Sequence, residues 1–371
     1  MTTTYSQRQI MLSFAYAAYV DELLPGNPSP DAQIKTDIEN AILSILPIAN
    51  QWSVVWGPVS YTVPGAYYQE NLMYVASLNG SSSPAQYAVA VRGTNGKVEL
   101  DWLLDDFDIL QTMPWPLGSS SSSAVGNISE STSIAVTTLL GMQDGTTGET
   151  LFEFLTSQMS SLPVANAGIC FTGHSLGAVL SSVLALYARD NQSTWDPDSK
   201  AIVTTINFAG PTAGDSNFAA YFNKQFAYTG DSSLPYWQSP GGVTSYADCV
   251  RNSLDVAPMV WNATSMPNIP DIYTGHLLHN IYPPLGTTEI IKYIVDATSA
   301  HNYTQTQSSQ DTLTGTFIQK DDLPPGPNSN AWIAEAEYQH SDSYPTLLDV
   351  PALLNVFSSK TPRERARAAS R

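Results

Sequence analysis

Gly173-His174-Ser175-Leu176-Gly177 places a serine between two glycines. In a G-x-S-x-G segment the serine sits on a strained turn between strand and helix, which lifts its hydroxyl above the end of a sheet. The glycines are needed because a Cβ at either flank would collide with the neighbouring strand and helix. A tight strand–helix turn with an idle serine is the plainer reading of the same five residues. A serine hydroxyl is a weak nucleophile until a base takes its proton and a third group orients that base. Ser175 therefore needs a carboxylate and an imidazole, and in this arrangement the acid comes before the histidine along the chain.

Asp255 lies in Arg251-Asn252-Ser253-Leu254-Asp255-Val256-Ala257-Pro258, at the end of a strand-like run, and is the candidate acid. Asp271 is the alternative, and a turn aspartate ahead of a proline is the bland reading of Asp255. Five histidines compete for the base. His340, in Glu337-Tyr338-Gln339-His340-Ser341-Asp342-Ser343-Tyr344, follows the Pro324-Pro325-Gly326-Pro327 loop and precedes an expected C-terminal helix. Order and local context assign it the role. His301 is the alternative, although the dipole of the helix before it would itself explain an imidazolium there. His174 reads as structural. His276 and His279 have helical spacing near Asp271, but without further ligand spacing they read as surface histidines and not as a metal site.

Acyl chemistry also needs donors for a tetrahedral oxyanion. The N–H of Leu176, directly after the nucleophile, is one. Gly93-Thr94 ends an earlier strand, so Thr94 is expected to supply the second through its N–H or hydroxyl; an ordinary turn is the alternative. Losing one such donor typically costs about 3–4 kcal/mol of transition-state stabilisation.

These groups need a scaffold, and the chain alternates as one would. Gly168–Phe171 reads as a short buried strand, Ser175–Asp190 as a helix and Ala201–Phe208 as a strand. A helix near Ser216–Phe226 and a strand running into Val250 follow. The pattern predicts an α/β fold with a mostly parallel sheet covered on both faces. Upstream, the first fifty residues read as helices broken by Pro25-Gly26-Asn27-Pro28, and Leu72–Leu78 and Tyr87–Val91 read as strands. Ile10 to Val20 is read as a helix capped by Ser6, with Ile10, Phe14, Ala17 and Val20 near one face. As a signal peptide it would have a thin basic region and a cleavage site at Ala15-Tyr16-Ala17, but two tyrosines interrupt its core. Cys170 and Cys249 sit in runs upstream of Ser175 and Asp255, on strands that a third would separate. Buried free thiols are expected.

Four ordered pieces, Val91-Arg92-Gly93-Thr94, Thr172–Ala178, Asn207–Asp215 and Arg251–Pro258, carry a resemblance to the class 3, or fungal-type, triacylglycerol lipases across about residues 70 to 260. The resemblance implies an α/β-hydrolase fold, a Ser-Asp-His triad without metal or organic cofactor, and an oxyanion residue at Thr94. It also implies a mobile lid, here 95–118, to which Trp102, Leu103, Leu104, Phe107, Ile109, Leu110 and Trp115 would give an apolar face. The bland alternative is that these residues pack on the core. The interval between Asp255 and His340 is longer than in compact members. The whole is expected to be one domain over 1–359, with a cap-like insertion over about 259–331 and a disordered basic tail, 360–371.

Composition sets the partners. Acidic residues outnumber basic ones 33 to 15, for a formal net charge of −18, which disfavours nucleic acid and anionic membrane surfaces. Neutral lipid is still open to it through apolar burial. No apolar run is long enough for a transmembrane helix. A low charged fraction with abundant Ser, Thr, Gly and Asn leans towards an extracellular protein; compartment and oligomeric state stay open. The sequence thus points to hydrolysis of a lipid ester, at an oil–water interface or in solution. A phospholipase A1, a feruloyl-type esterase or an acyltransferase would use the same residues. The competing class is a catalytically silent hydrolase-like binding protein, which should lack a triad member.

Overall fold

Among the described residues, six strands form the main sheet in chain order: β1 (Trp52–Tyr61), β2 (Asn71–Leu78), β3 (Ala85–Arg92), β4 (Ala167–Gly173), β5 (Ala201–Phe208) and β6 (Ala247–Val250). β1, β2 and β3 pair antiparallel, whereas β3 through β6 are parallel. All seven residues of β4 are buried, as a central parallel strand covered on both faces requires. This computed structural model describes residues 5–20, 31–45, 47–61, 71–80, 85–93, 109–118, 124–163, 167–228, 245–275, 281–306, 312–319, 322–323 and 327–354. The α/β architecture expected from the alternation of elements is borne out.

Among the described residues, the α-helices of five residues or more are α1 (Gln7–Ala17), α2 (Asp31–Ser44), α3 (Glu130–Gly141), α4 (Leu151–Ser161), α5 (Leu176–Asp190), α6 (Ser216–Gln225), α7 (Thr287–Thr298), α8 (Asn328–Glu337) and α9 (Ser343–Leu347). α1 starts at a capping box in which Ser6 and Gln9 satisfy each other's backbone N–H groups. It is no exposed leader: Met11 through Tyr19 are buried, and α1 lies against β3, β4 and β5. Arg8 fixes its start to Asp248 of β6 at 2.6 Å. Among the described residues, no helix is long and apolar enough to cross a membrane.

Two elements escape a reading of the sequence. β1 contains Gly57-Pro58, and proline within a run argues against a strand. Here β1 is an edge strand whose register shifts around that pair, so the missing N–H costs the ladder little. The second is a small antiparallel sheet of four short segments, Tyr303–Thr304, Gly214–Asp215, Gly126–Ser129 and Thr112–Trp115, which lie far apart in the chain. Cys170 on β4 and Cys249 on β6 are both free, with β5 between them. Burial pushes the Cys170 thiol up to about 12, which leaves it inert.

Among the described residues the core has two parts. One fills the space between sheet and helices. The other is built almost wholly from residues 256–336, around Trp261, Tyr273 and Trp332. It packs beside the turn that follows β6, where Asp255 stands.

Candidate active site

β4 runs into α5 through Ser175, which takes φ 58° and ψ −129°. A non-glycine residue in this region stores strain of about 1–3 kcal/mol, so the surroundings must impose it. They do so by close approach. A Cβ on Gly173 would strike the Gly177 carbonyl, and one on Gly177 would strike the Val91 carbonyl. On β3's exit, a Cβ on Gly93 would come within 2.6 Å of the Gly177 nitrogen. Three glycines thus let strand, turn and helix touch. The Ser175 N–H donates to the Phe208 carbonyl at 3.0 Å, which fastens the turn to β5.

The Ser175 hydroxyl lies 2.9 Å from His340 Nε2. On the other side of that ring, Nδ1 lies 3.1 and 3.2 Å from the two carboxylate oxygens of Asp255. The His340 and Asp255 side chains are 2% and 0% exposed, so water does not compete for this contact. Asp255 accepts two more bonds, from the Ala257 N–H at 2.9 Å and the Tyr344 hydroxyl at 2.7 Å. Burial, then the adjacent Asp255 charge, pushes Tyr344 well above the ordinary phenol range, so it stays a donor.

His340 is carried by one π-helical turn, Tyr338–Asp342, between α8 and α9. Such single turns interrupt α-helices at functional positions. His174 faces it, ring centroids 4.7 Å apart, and donates from Nε2 to the His340 carbonyl at 2.7 Å. Burial, and secondly the neighbouring His340, holds His174 well below the usual imidazole range, so it stays neutral. α1 braces the same region: Tyr16 donates to the Ser341 carbonyl at 2.6 Å and Tyr19 to the His174 carbonyl at 3.0 Å. The Tyr19 hydroxyl also accepts the Gly93 N–H at 3.3 Å.

The structure therefore brings Ser175, His340 and Asp255 together. It does not bring the alternatives there. Asp271 is exposed at the end of a 3₁₀ turn, Met266–Asp271, and His301 instead bonds the Leu110 carbonyl at 2.8 Å. Leu176 opens α5, where backbone N–H groups have no partner within the helix.

A solved structure described as the crystal structure of M37 lipase aligns over 96% of this chain and 96% of its own, at 30% identity and a TM-score of 0.78. The model of the class 3 lipases matches residues 88–239. The chain belongs to the class 3 lipase family. Lipases from Rhizopus microsporus var. chinensis (13% identity, 70% of this chain and 71% of that one, TM-score 0.42) and Yarrowia lipolytica (16%, 67% and 73%, TM-score 0.45) match more distantly. No curated protein matches the chain at the stringency these structures meet. As a class 3 lipase the protein hydrolyses lipid esters.

In this lipase, Thr94 and most of the expected lid, residues 95–108, lie outside the described residues, as do His276, His279 and the tail. Residues 109–118 are described, and they correct part of the lid's expected apolar face. Ile109 joins the second core, and Trp115 is fully buried against Phe218 with its indole N–H on Asp190 at 3.0 Å. Leu110 is exposed. Among the described residues, no cluster of His, Cys, Asp or Glu could hold a metal ion.

Proposed function

We propose that this lipase works by acyl transfer, with Ser175 as nucleophile, His340 as base and then acid, and Asp255 as the group that orients the imidazole. The reading is carried by one observation, the Ser175 Oγ–His340 Nε2–Asp255 line of contacts at 2.9 and 3.1 Å. As Oγ bonds to the ester carbonyl carbon, its proton passes to Nε2, and the Asp255 carboxylate stabilises the imidazolium that results. The same proton then goes to the departing alcohol oxygen. Water, deprotonated by His340, attacks the acyl-enzyme and returns the hydroxyl to Ser175. General acid–base help of this kind contributes roughly 10²–10⁴-fold. The N–H of Leu176 serves as one oxyanion donor. Thr94 serves as the second, a role supported by Gly93 being pressed against Gly177 and Leu176 where β3 leaves the sheet.

The substrate we infer is a triacylglycerol-like ester met at an oil–water interface, by a single hydrolase domain over 1–359 with a lid at 95–118 and an inserted cap at 259–331. The insertion's separate core supports that last reading. Fluorophosphonate labelling tests the nucleophile: one adduct is expected on Ser175 and none on Ser175→Ala. Turnover of a short p-nitrophenyl ester tests the base. Loss in His301→Ala with retention in His340→Ala would end the assignment. No gain in rate above the solubility limit of a longer ester would count against the interface.

A further inference from the structure

Behind Asp255 runs a chain of buried polar side chains that acyl transfer does not itself require. Glu335 on α8 and Gln339 in the π-turn are fully buried, and Asn252, after β6, is 3% exposed. We propose that Glu335 is a positioning residue for the His340–Asp255 pair, acting through Gln339 and Asn252. The proposal rests on the triad reading above.

The argument follows the donors. The Gln339 amide nitrogen has two hydrogens, and it lies 2.7 Å from Glu335 Oε1 and 2.8 Å from the Thr316 carbonyl. Both acceptors fix which end of the amide is nitrogen, so Gln339 Oε1 must face Asn252. It accepts from Asn252 Nδ2 at 2.6 Å. Without the acceptor at 335, one of the two restraints on that amide is gone, and a flipped Gln339 would set NH₂ against NH₂.

Asn252 is where this chain meets both partners of the pair. On the acid's side, its Oδ1 accepts the Leu254 N–H and its carbonyl accepts the Asp255 N–H, both at 3.1 Å. Its own N–H donates to the Tyr344 hydroxyl, which in turn donates to Asp255 Oδ2. On the base's side, Nδ2 reaches the Gln339 carbonyl at 3.1 Å and Ser343 Oγ at 2.9 Å, the first within the turn that carries His340 and next to it, the second directly after that turn. One amide therefore sets two turns whose residues stand 85 positions apart in the chain. Glu335 adds a third segment by accepting the Ile318 N–H at 3.1 and 3.3 Å. Leu313, in the same segment, pairs through its backbone with Arg251 and Ser253.

A carboxylate that only held residues 316–318 in place would affect stability and leave turnover per folded molecule alone. One that sets the His340–Asp255 geometry must affect the chemical step, because misplacement by about 1 Å can cost about 10²-fold.

The test uses Glu335→Ala, Glu335→Gln, Gln339→Met and the double variant Glu335→Ala/Gln339→Met in the full-length chain. Active sites are counted by fluorophosphonate titration, and kcat and KM are measured on a soluble short-chain p-nitrophenyl ester. For Glu335→Ala, kcat should fall about 10–100-fold with KM within about twofold of wild type. Glu335→Gln should recover to within about threefold, since Oε1 alone already lies within reach of both Gln339 and Ile318. Gln339→Met should lose as much as Glu335→Ala, and the double variant no more than either, because both act on one path. The far-downfield proton signal of the His340–Asp255 hydrogen bond should broaden or vanish in Glu335→Ala. A lowered Tm with wild-type kcat per titrated site and an unchanged signal would overturn the proposal. So would Glu335→Gln as slow as Glu335→Ala. If Glu335→Ala does not fold, unchanged kcat in Gln339→Met overturns it instead. Failure of the triad reading shows separately, as a wild-type enzyme that takes no label on Ser175.

Discussion

At the scale of single residues, Asp255 shows how much one atom decides. Its two oxygens receive the Ala257 N–H, the Tyr344 hydroxyl and His340 Nδ1, and its side chain is 0% exposed. Asp255→Asn would preserve the shape and reverse the meaning: an amide N–H facing Nδ1 would select the tautomer with its proton on Nε2. His340 would then donate to Ser175 when it should accept. A loss of about 10⁴-fold in kcat is expected with the fold intact, the magnitude known for the same change in a serine protease triad. A loss below about tenfold would mean that Asp255 does not orient the base. Ser175 was legible because its signal is local, two glycines and a strand–helix switch within five residues. His340 was legible only by order along the chain. Tyr344, Tyr16, Tyr19 and Glu335 were not, nor was the partner of His174, which reads only as structural, since each gains its part from a contact between distant segments. His174 and the Ser175 turn, for instance, meet His340 across intervals of 166 and 165 residues. Periodicity holds no trace of such contacts.

At the scale of elements, the long apolar helix after Ser175 and the parallel strands were readable from pattern, while β1 and the four-segment sheet were not. β1 was hidden by its proline, tolerated only because the strand is an edge, and a pattern cannot say which strand will be the edge. The short segments of Gly214–Asp215 and Tyr303–Thr304 are two residues each, too brief for alternation to register. α1 carries the sharpest test at this scale. It places Met11, Leu12 and Phe14 in the core at 1% exposure or less, which at about 1.5–3 kcal/mol each removes roughly 5–9 kcal/mol if they are lost. That is comparable with the whole net stability of a domain, about 5–15 kcal/mol. The Tyr16 bond to Ser341 and the Thr172 bond to the Met11 carbonyl would go with it. A chain cut after Ala17 should therefore show no cooperative thermal transition and no hydrolysis. A sharp transition in the shortened chain would mean that α1 is ornamental.

For the whole molecule the governing quantity is its charge, −18, against two buried groups with opposite pKa shifts. A domain of this length has a radius of gyration of about 21 Å. At about 10 mM salt the Debye length is about 30 Å, so every carboxylate feels the others; at about 150 mM it is about 8 Å. Tm should rise across that interval and on acidification, as self-repulsion weakens. Glu335 acts in the same direction. Burial pushes it up to about 7, so the folded state holds its proton more tightly than the unfolded chain, and stability is lost as pH climbs from about 4.5 through about 7. Tyr273 and Tyr338 face the same charge and, pushed up mainly by burial, stay neutral beside it. His174 opposes both trends. Its folded pKa is depressed, so below about pH 6.5 the unfolded chain takes up a proton that the folded chain refuses, and stability drops as pH falls. The neighbour it would confront if charged is His340, the proposed base. His174→Gln removes this one contribution while keeping a side-chain donor for the His340 carbonyl. The Tm advantage of wild type over His174→Gln should thus be largest near about pH 7.5 and shrink steadily towards about pH 5. A difference that stays constant over that range, measured at fixed salt, would show that His174 titrates alike in both states and does not make the active site the acid-sensitive part of the fold.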